Sequence, residues 1–92
     1  MMVDLQTKVW LDDMVIYGGA NVYGSRQLKE AIDALGEWSR RYRANFEHVL
    51  AERTLTAAEY EARTEISFDT DADLYDHLSK LHRYLFFGGP IP

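Results

Sequence analysis

Three aspartates at alternate positions, Asp69, Asp71 and Asp73, come closest to a chemical motif in this 92-residue chain. Carboxylates at alternate positions open the calcium-binding loop of EF-hand proteins. The second half of that loop is missing, because its sixth position is Leu74 instead of Gly and its twelfth is Lys80 instead of Glu. Carboxylates also stabilise the N-terminus of a helix. We therefore interpret the three aspartates as a helix start, and predict neither a metal site nor a cofactor.

The other residues that could support chemistry do not form a catalytic set. His77 and His82 are five residues apart, whereas two histidines four residues apart would share one helix face and could hold zinc. The chain has no cysteine, which excludes disulfides and thiolate catalysis. None of the serines lies in a motif that supplies a base and an orienting group. We therefore predict that the protein has no catalytic residues and is not an enzyme.

Most of the negative charge of the chain lies in residues 59–76. This stretch holds seven carboxylates and one arginine, a local charge of −6, while the whole chain carries −5. Helix starts use only one or two such carboxylates, so the excess has no evident role in folding. A concentrated negative surface attracts basic partners and repels nucleic acid. We therefore predict no direct binding to nucleic acid, and a site for a basic protein surface at Glu65, Asp69, Asp71, Asp73 and Asp76.

Length and composition favour one small cytoplasmic domain spanning residues 1–92. A chain of 92 residues leaves no room for a second domain, and 47% hydrophobic residues are enough for a core. The longest apolar runs, Met14–Tyr17 and Tyr84–Phe87, are too short to cross a membrane. The absence of cysteine fits a reducing compartment. Asp4 and Lys8 interrupt the N-terminal region, so we expect no signal peptide.

The N-terminal region favours β-structure. Val9–Leu11 and Met14–Tyr17 are rich in β-branched and bulky residues. Asp12 and Asp13 stand between these two runs, and aspartates favour tight turns. The pattern therefore predicts a β-hairpin over residues 8–17. Polar and apolar residues also alternate near residues 64–68, which predicts a third strand there.

A helical pattern covers residues 25–53. Seven positions spaced alternately by four and three residues form one seam along a helix. These positions, called the seam below, are Leu28, Ile32, Leu35, Ser39, Tyr42, Phe46 and Val49. The pattern predicts a single long central helix whose seam is buried, either in the fold or in a dimer.

Two further helices are predicted from their start signals. Thr56 and Glu59 have the spacing of a capping box, which predicts a short helix after Thr56. Thr70 then opens a final helix that ends at Gly88. The predicted inner stripe of this helix is Leu74, Leu78, Leu81 and Leu85.

Together these elements predict an α+β fold. An N-terminal β-hairpin, with a third strand near 64–68, would pack on the long central helix, the short helix and the C-terminal helix. A second interpretation is a mostly helical bundle in which the N-terminal strands form an edge ribbon or a dimer ribbon.

Small size, local acidity and the absence of motifs favour a protein that binds another protein. Inhibitors, immunity proteins and phage anti-defence proteins of bacteria have this character. The acidic surface of such a protein would cover a basic, nucleic-acid-binding site on its target. The alternative is a homodimeric regulatory or ligand-binding domain in which the seam forms the dimer interface.

Overall fold

The structure, a computed structural model, describes residues 4–18, 24–34 and 36–92. Within these residues the fold is helical and contains no β-strand. The helices are α1 (Leu5–Asp13), α2 (Gly24–Ala34), α3 (Gly36–Glu52), α4 (Ala57–Thr64) and α5 (Asp71–Phe87), and a π-helical turn, Met14–Gly18, follows α1. The predicted α+β class is therefore wrong, and so are the N-terminal strands of the second interpretation. In the described part of the chain, no helix combines the length and apolar character needed to cross a membrane.

Residues 8–17, which were predicted to form a β-hairpin, belong instead to α1 and the π-helical turn. Asp4 caps α1, because its Oδ1 accepts a hydrogen bond from the Thr7 amide at 2.8 Å. Thr7, Trp10, Leu11 and Met14 recur at helical spacing, and all four are buried. A strand would place Trp10 and Leu11 on opposite faces, whereas a helix brings both into one core. Burial in the tertiary structure therefore outweighs the β-propensity of this region.

Asp12 and Asp13 end α1 and do not form a tight turn. Asp12 makes an ion pair with Arg63 of α4. Asp13 is partly buried, which raises the pKa of its carboxyl, while a hydrogen bond with Trp38 of α3 acts in the opposite direction. The two aspartates therefore connect α1 to two other helices.

Residues 64–68, which were predicted to form a third strand, are instead the end of α4 and part of its connection to α5. Glu65 ends α4 in the left-handed conformation, with φ of 64°. The Thr64 hydroxyl accepts a hydrogen bond from the Ile66 amide at 3.2 Å, which holds the backbone after the helix. Ile66 and Phe68 both pack against the core. The alternating pattern therefore reflects a connection with one buried side, and no neighbouring strand is needed.

The predicted central helix is described as α2 and α3, and Leu35 lies outside the described residues. Four seam positions, Leu28, Tyr42, Phe46 and Val49, are at most 1% exposed. Ile32 is partly buried and packs against the same core. The prediction that the seam is buried is confirmed for these residues. Because these seam residues are buried within one chain, they are not free to form the dimer interface of the alternative hypothesis.

The predicted helix starts of α4 and α5 are confirmed. Thr56 and Glu59 form the capping box, with amide-to-side-chain hydrogen bonds of 3.0 and 3.1 Å. Thr70 Oγ1 accepts a hydrogen bond from the Asp73 amide at 3.1 Å. Gly88 ends α5 with φ of 69°. The predicted inner stripe of α5 is also buried, at Leu74, Leu78, Leu81 and Leu85.

The buried side chains of all five helices form one core. Its centre is Trp10 of α1, whose ring centroid lies 5.1 Å from that of Phe46 in α3 and 6.3 Å from that of Tyr60 in α4. Tyr60 also contacts Phe68 in the connection before α5, with ring centroids 5.9 Å apart. Through this contact the core positions the part of the chain that carries the acidic residues.

Candidate partner-binding groove

An open groove of about 500 Å³ runs along the N-terminal half of α5 and the connection before it. Three aspartates contribute to it, and we call it the acidic groove. Its lining residues are Ser67, Phe68, Asp69, Asp73, Asp76, His77, Lys80 and Pro92. The α5 residues among them are spaced by three, one and three positions, so they share one face of the helix.

Phe68 and His77 provide the aromatic part of the groove. Their ring centroids are 5.2 Å apart, and Phe68 is held in turn by its contact with Tyr60. His77 is partly buried, and this burial lowers the pKa of its imidazole, against the opposing charge of Asp76. Burial therefore favours the neutral imidazole, which suits its contact with the Phe68 ring.

The charged part of the groove consists of Asp69, Asp73 and Asp76, all of which are exposed. Asp76 forms an ion pair with Lys80, with an N–O distance of 3.0 Å. The side chains of Asp69 and Asp73 make no ion pair or hydrogen bond within the described residues. Two carboxylates beside Phe68 are therefore available to an outside partner.

The structure brings three of the five predicted partner-binding residues together and separates the other two from them. Asp69, Asp73 and Asp76 line the groove. Asp71 is directed to α4, where its Oδ1 accepts a hydrogen bond from the Ala57 amide at 2.7 Å. Glu65 lies at the end of α4 and does not line the groove.

The expectation that the excess carboxylates have no role in folding is wrong for Asp71. Its hydrogen bond satisfies one of the amides at the start of α4 that have no partner inside the helix. Glu59, in the same acidic stretch, satisfies another through the capping box. The acidic stretch therefore contains both structural carboxylates and carboxylates that have no partner among the described residues.

The same division separates the three aspartates of the calcium-like motif. Asp69 and Asp73 line the groove, whereas Asp71 is hydrogen-bonded at the start of α4. In the part of the chain that the structure describes, no three histidine, aspartate or glutamate side chains are grouped so that they could hold a metal ion.

Sequence reasoning missed Phe68 and His77 as parts of the site. The available signal was the position of Phe68 directly before the first aspartate of the run. That signal is weak, because an aromatic residue in a connection usually fills the core, and Phe68 does so in part. The spacing of His77 indicates no place in an aromatic pair, and its position beside Phe68 follows from the packing of α5.

A second polar cluster joins α3 to α5 and differs from the acidic groove. Glu47 accepts a hydrogen bond from Arg43 at 3.1 Å and lies 3.0 Å from His82 Nε2. The Arg43 guanidinium also stacks on Phe86, 5.1 Å from its ring centroid. The contacts with Arg43 and His82 lower the pKa of Glu47, with the hydrogen bond from Arg43 as the largest cause. Because its charges are paired within the chain, this cluster is less suited to attract a charged partner.

The chemistry of the acidic groove matches a basic side chain. A guanidinium or ammonium group can be hydrogen-bonded by carboxylates, and its charge is also attracted to an aromatic face. Arginine suits both contacts, because its planar group can bind a carboxylate with two hydrogen bonds and stack on a ring. No known protein family, curated protein or solved structure matches this chain significantly.

Proposed function

We propose that this protein acts by binding a basic surface of another protein through the acidic groove. The observation that carries the proposal is the pair of carboxylates, Asp69 and Asp73, that have no partner within the described residues and stand beside Phe68. The groove receives a lysine or arginine of the partner. The remaining negative charge of the acidic stretch speeds the encounter.

The target we propose is a protein whose basic surface binds nucleic acid. Such surfaces present lysine and arginine to phosphate groups. Carboxylates that bind the same side chains occupy the same place as the phosphates, and binding therefore blocks the nucleic acid. An inhibitor, an immunity protein or a phage anti-defence protein acts in this manner.

The test is a pull-down from a host lysate with three forms of the protein. The groove variant carries Asp69→Lys and Asp73→Lys, and leaves the structural Asp71 intact. The matched control carries Glu30→Lys and Glu52→Lys, two exposed residues on α2 and α3 that lie outside the acidic stretch and do not line the groove. Both variants change the net charge by the same amount. We expect the wild type and the control to retain the same protein, and the groove variant to lose it.

Kinetics with the retained protein then separate the groove from a general effect of charge. The groove variant should associate at least about tenfold more slowly than the wild type, because steering by local charge changes association rates by this factor or more. Its association rate should also depend less on salt. Equal retention of the partner by the wild type and the groove variant would contradict the proposal. The acidic stretch would then serve solubility alone.

A further inference from the structure

Helix α1 has apolar side chains on two opposite faces. Its inner face places Trp10 and Leu11 in the core. Its outer face carries Leu5 and Val9, and Ile16 of the π-helical turn continues this face. Leu5 is 76% exposed, Val9 40% and Ile16 70%. These three residues are called the outer stripe below.

The outer stripe is a continuous feature and not a scatter of single residues. Its positions are four and seven residues apart, close to one and two helical turns. Of the six large apolar side chains that are exposed in the described residues, four belong to α1 and the π-helical turn, counting Val15. Apolar side chains grouped in this way on a surface mark an interaction site.

We propose that the outer stripe docks a second copy of this chain, with the two α1 helices antiparallel about a two-fold axis. In this arrangement Leu5 of one copy packs against Ile16 of the second copy, and Val9 lies close to the axis. An interface of this symmetry must be complementary to itself. The apolar residues near both ends of the stripe satisfy this condition.

The charges beside the stripe select the second copy as the occupant and the antiparallel direction. Lys8 is exposed and makes no ion pair within the described residues. Antiparallel pairing brings Lys8 close to Asp12 of the second copy, and the reverse contact forms by symmetry. Parallel pairing about a two-fold axis would place Lys8 and Asp12 of the second copy on opposite sides of the contact, so that this ion pair could not form. The contact of Asp12 Oδ1 with Arg63 leaves Oδ2 available to the Lys8 ammonium.

The size of the contact sets its strength. The nine residues of α1 and the five of the π-helical turn form a rod of about 20 Å. A single pair of such helices buries less than the roughly 800 Å² per partner of a standard interface. The dimer is therefore weak, and its population should rise between micromolar and millimolar protein.

The first experiment measures molecular mass against protein concentration by sedimentation equilibrium. The wild type should move from 10.7 kDa at low concentration towards twice that mass. Ile16→Asp should stay monomeric over the same range. Phe87→Asp is the matched control, because Phe87 is 66% exposed but lies at the end of α5. It should dimerise like the wild type, and circular dichroism should show that all three proteins are folded.

The second experiment tests the antiparallel direction by disulfide formation. The chain contains no cysteine, so only the introduced cysteines can form disulfides. A mixture of Leu5→Cys and Ile16→Cys should form the mixed disulfide faster than either variant forms a disulfide with itself. A wild type that stays at 10.7 kDa at millimolar concentration would overturn the proposal, and so would dimerisation of Ile16→Asp equal to that of the wild type. If Leu5→Cys formed a disulfide with itself faster than with Ile16→Cys, the antiparallel pairing would be excluded.

Discussion

Carboxylates at the helix starts and carboxylates in the acidic groove have different surroundings, although they are the same kind of residue. Asp4, Glu59 and Asp71 each accept a hydrogen bond from a backbone amide, at 2.8, 3.0 and 2.7 Å. Asp69 and Asp73 line the groove, and their side chains have no such partner among the described residues. A run of acidic residues is therefore not one functional unit. The positions of the helix ends decide which of its members belong to the fold.

The two groups should affect stability by different amounts. A capping carboxylate stabilises a helix by about 1 kcal/mol. The groove carboxylates repel one another, which weakly disfavours the compact state, although Asp73 also lies in the first turn of α5, where a negative charge is favourable. A binding surface with unpaired like charges therefore costs a little stability, and the core and the helix caps offset that cost.

The core holds both groups of carboxylates in place. Truncation of a core side chain should therefore cause the largest loss of stability among these variants. Phe46 is fully buried, with its ring 5.1 Å from Trp10 and 5.8 Å from Tyr42. Phe46→Ala should lower the free energy of unfolding by about 3–5 kcal/mol, because it removes apolar contacts and leaves a cavity. Urea denaturation measures this loss. The control is Phe87→Ala at an exposed position, with an expected change within about 0.5 kcal/mol. Similar losses for both variants would show that the core is misassigned.

A comparison of Asp71 with Asp69 tests the division between structural and groove carboxylates directly. Asp71→Ala should cost about 1 kcal/mol, because the Ala57 amide at the start of α4 loses its acceptor. Asp69→Ala, two residues earlier, should change the free energy of unfolding by less than about 0.5 kcal/mol. Both values come from urea denaturation at pH 7. Equal effects of the two substitutions would show that Asp71 contributes no more to the fold than Asp69 does.

The smallest expected effect concerns Asp4 in acid. The Thr7 amide, and after it the hydrogen bond with His48, lower the pKa of Asp4 to about 2. A lowered pKa means that Asp4 contributes stability above its unfolded pKa of about 3.9, and that this contribution is lost as the pH falls through about 2. Asp4→Asn keeps a side chain that can cap α1 but removes the charge.

The free energy of unfolding of Asp4→Asn should therefore lie below that of the wild type at pH 7 and converge with it near pH 2. Urea denaturation over this pH range measures the difference. A difference that stays constant with pH would show that the charge of Asp4 does not contribute to stability.

Local signals in the sequence predicted the C-terminal part of the fold well. The starts of α4 and α5 depend on residues three positions apart, Thr56 with Glu59 and Thr70 with Asp73. The end of α5 depends on a glycine that can adopt positive φ, at Gly88. The inner stripe of α5 follows from helical spacing alone. Each of these features is decided within one or two turns of chain, so the sequence is sufficient.

The N-terminal part could not be predicted in this way. Residues 8–17 have β-propensity and also place apolar residues at helical spacing, and the two patterns compete. The choice depends on whether Trp10 can reach Phe46 and Tyr60, which belong to α3 and α4. The same competition affected residues 64–68, where Ile66 and Phe68 pack against the core without a neighbouring strand.

The sequence by itself determined the caps of α4 and α5, the buried stripe of α5 and the concentration of negative charge in residues 59–76. Only the tertiary structure decided that α1 is a helix, and which carboxylates share a groove. The hydrogen bond between Asp71 and Ala57 shows the reason, because it joins residues fourteen positions apart. Such a contact depends on how α4 meets α5 across the core, and no local spacing encodes that meeting.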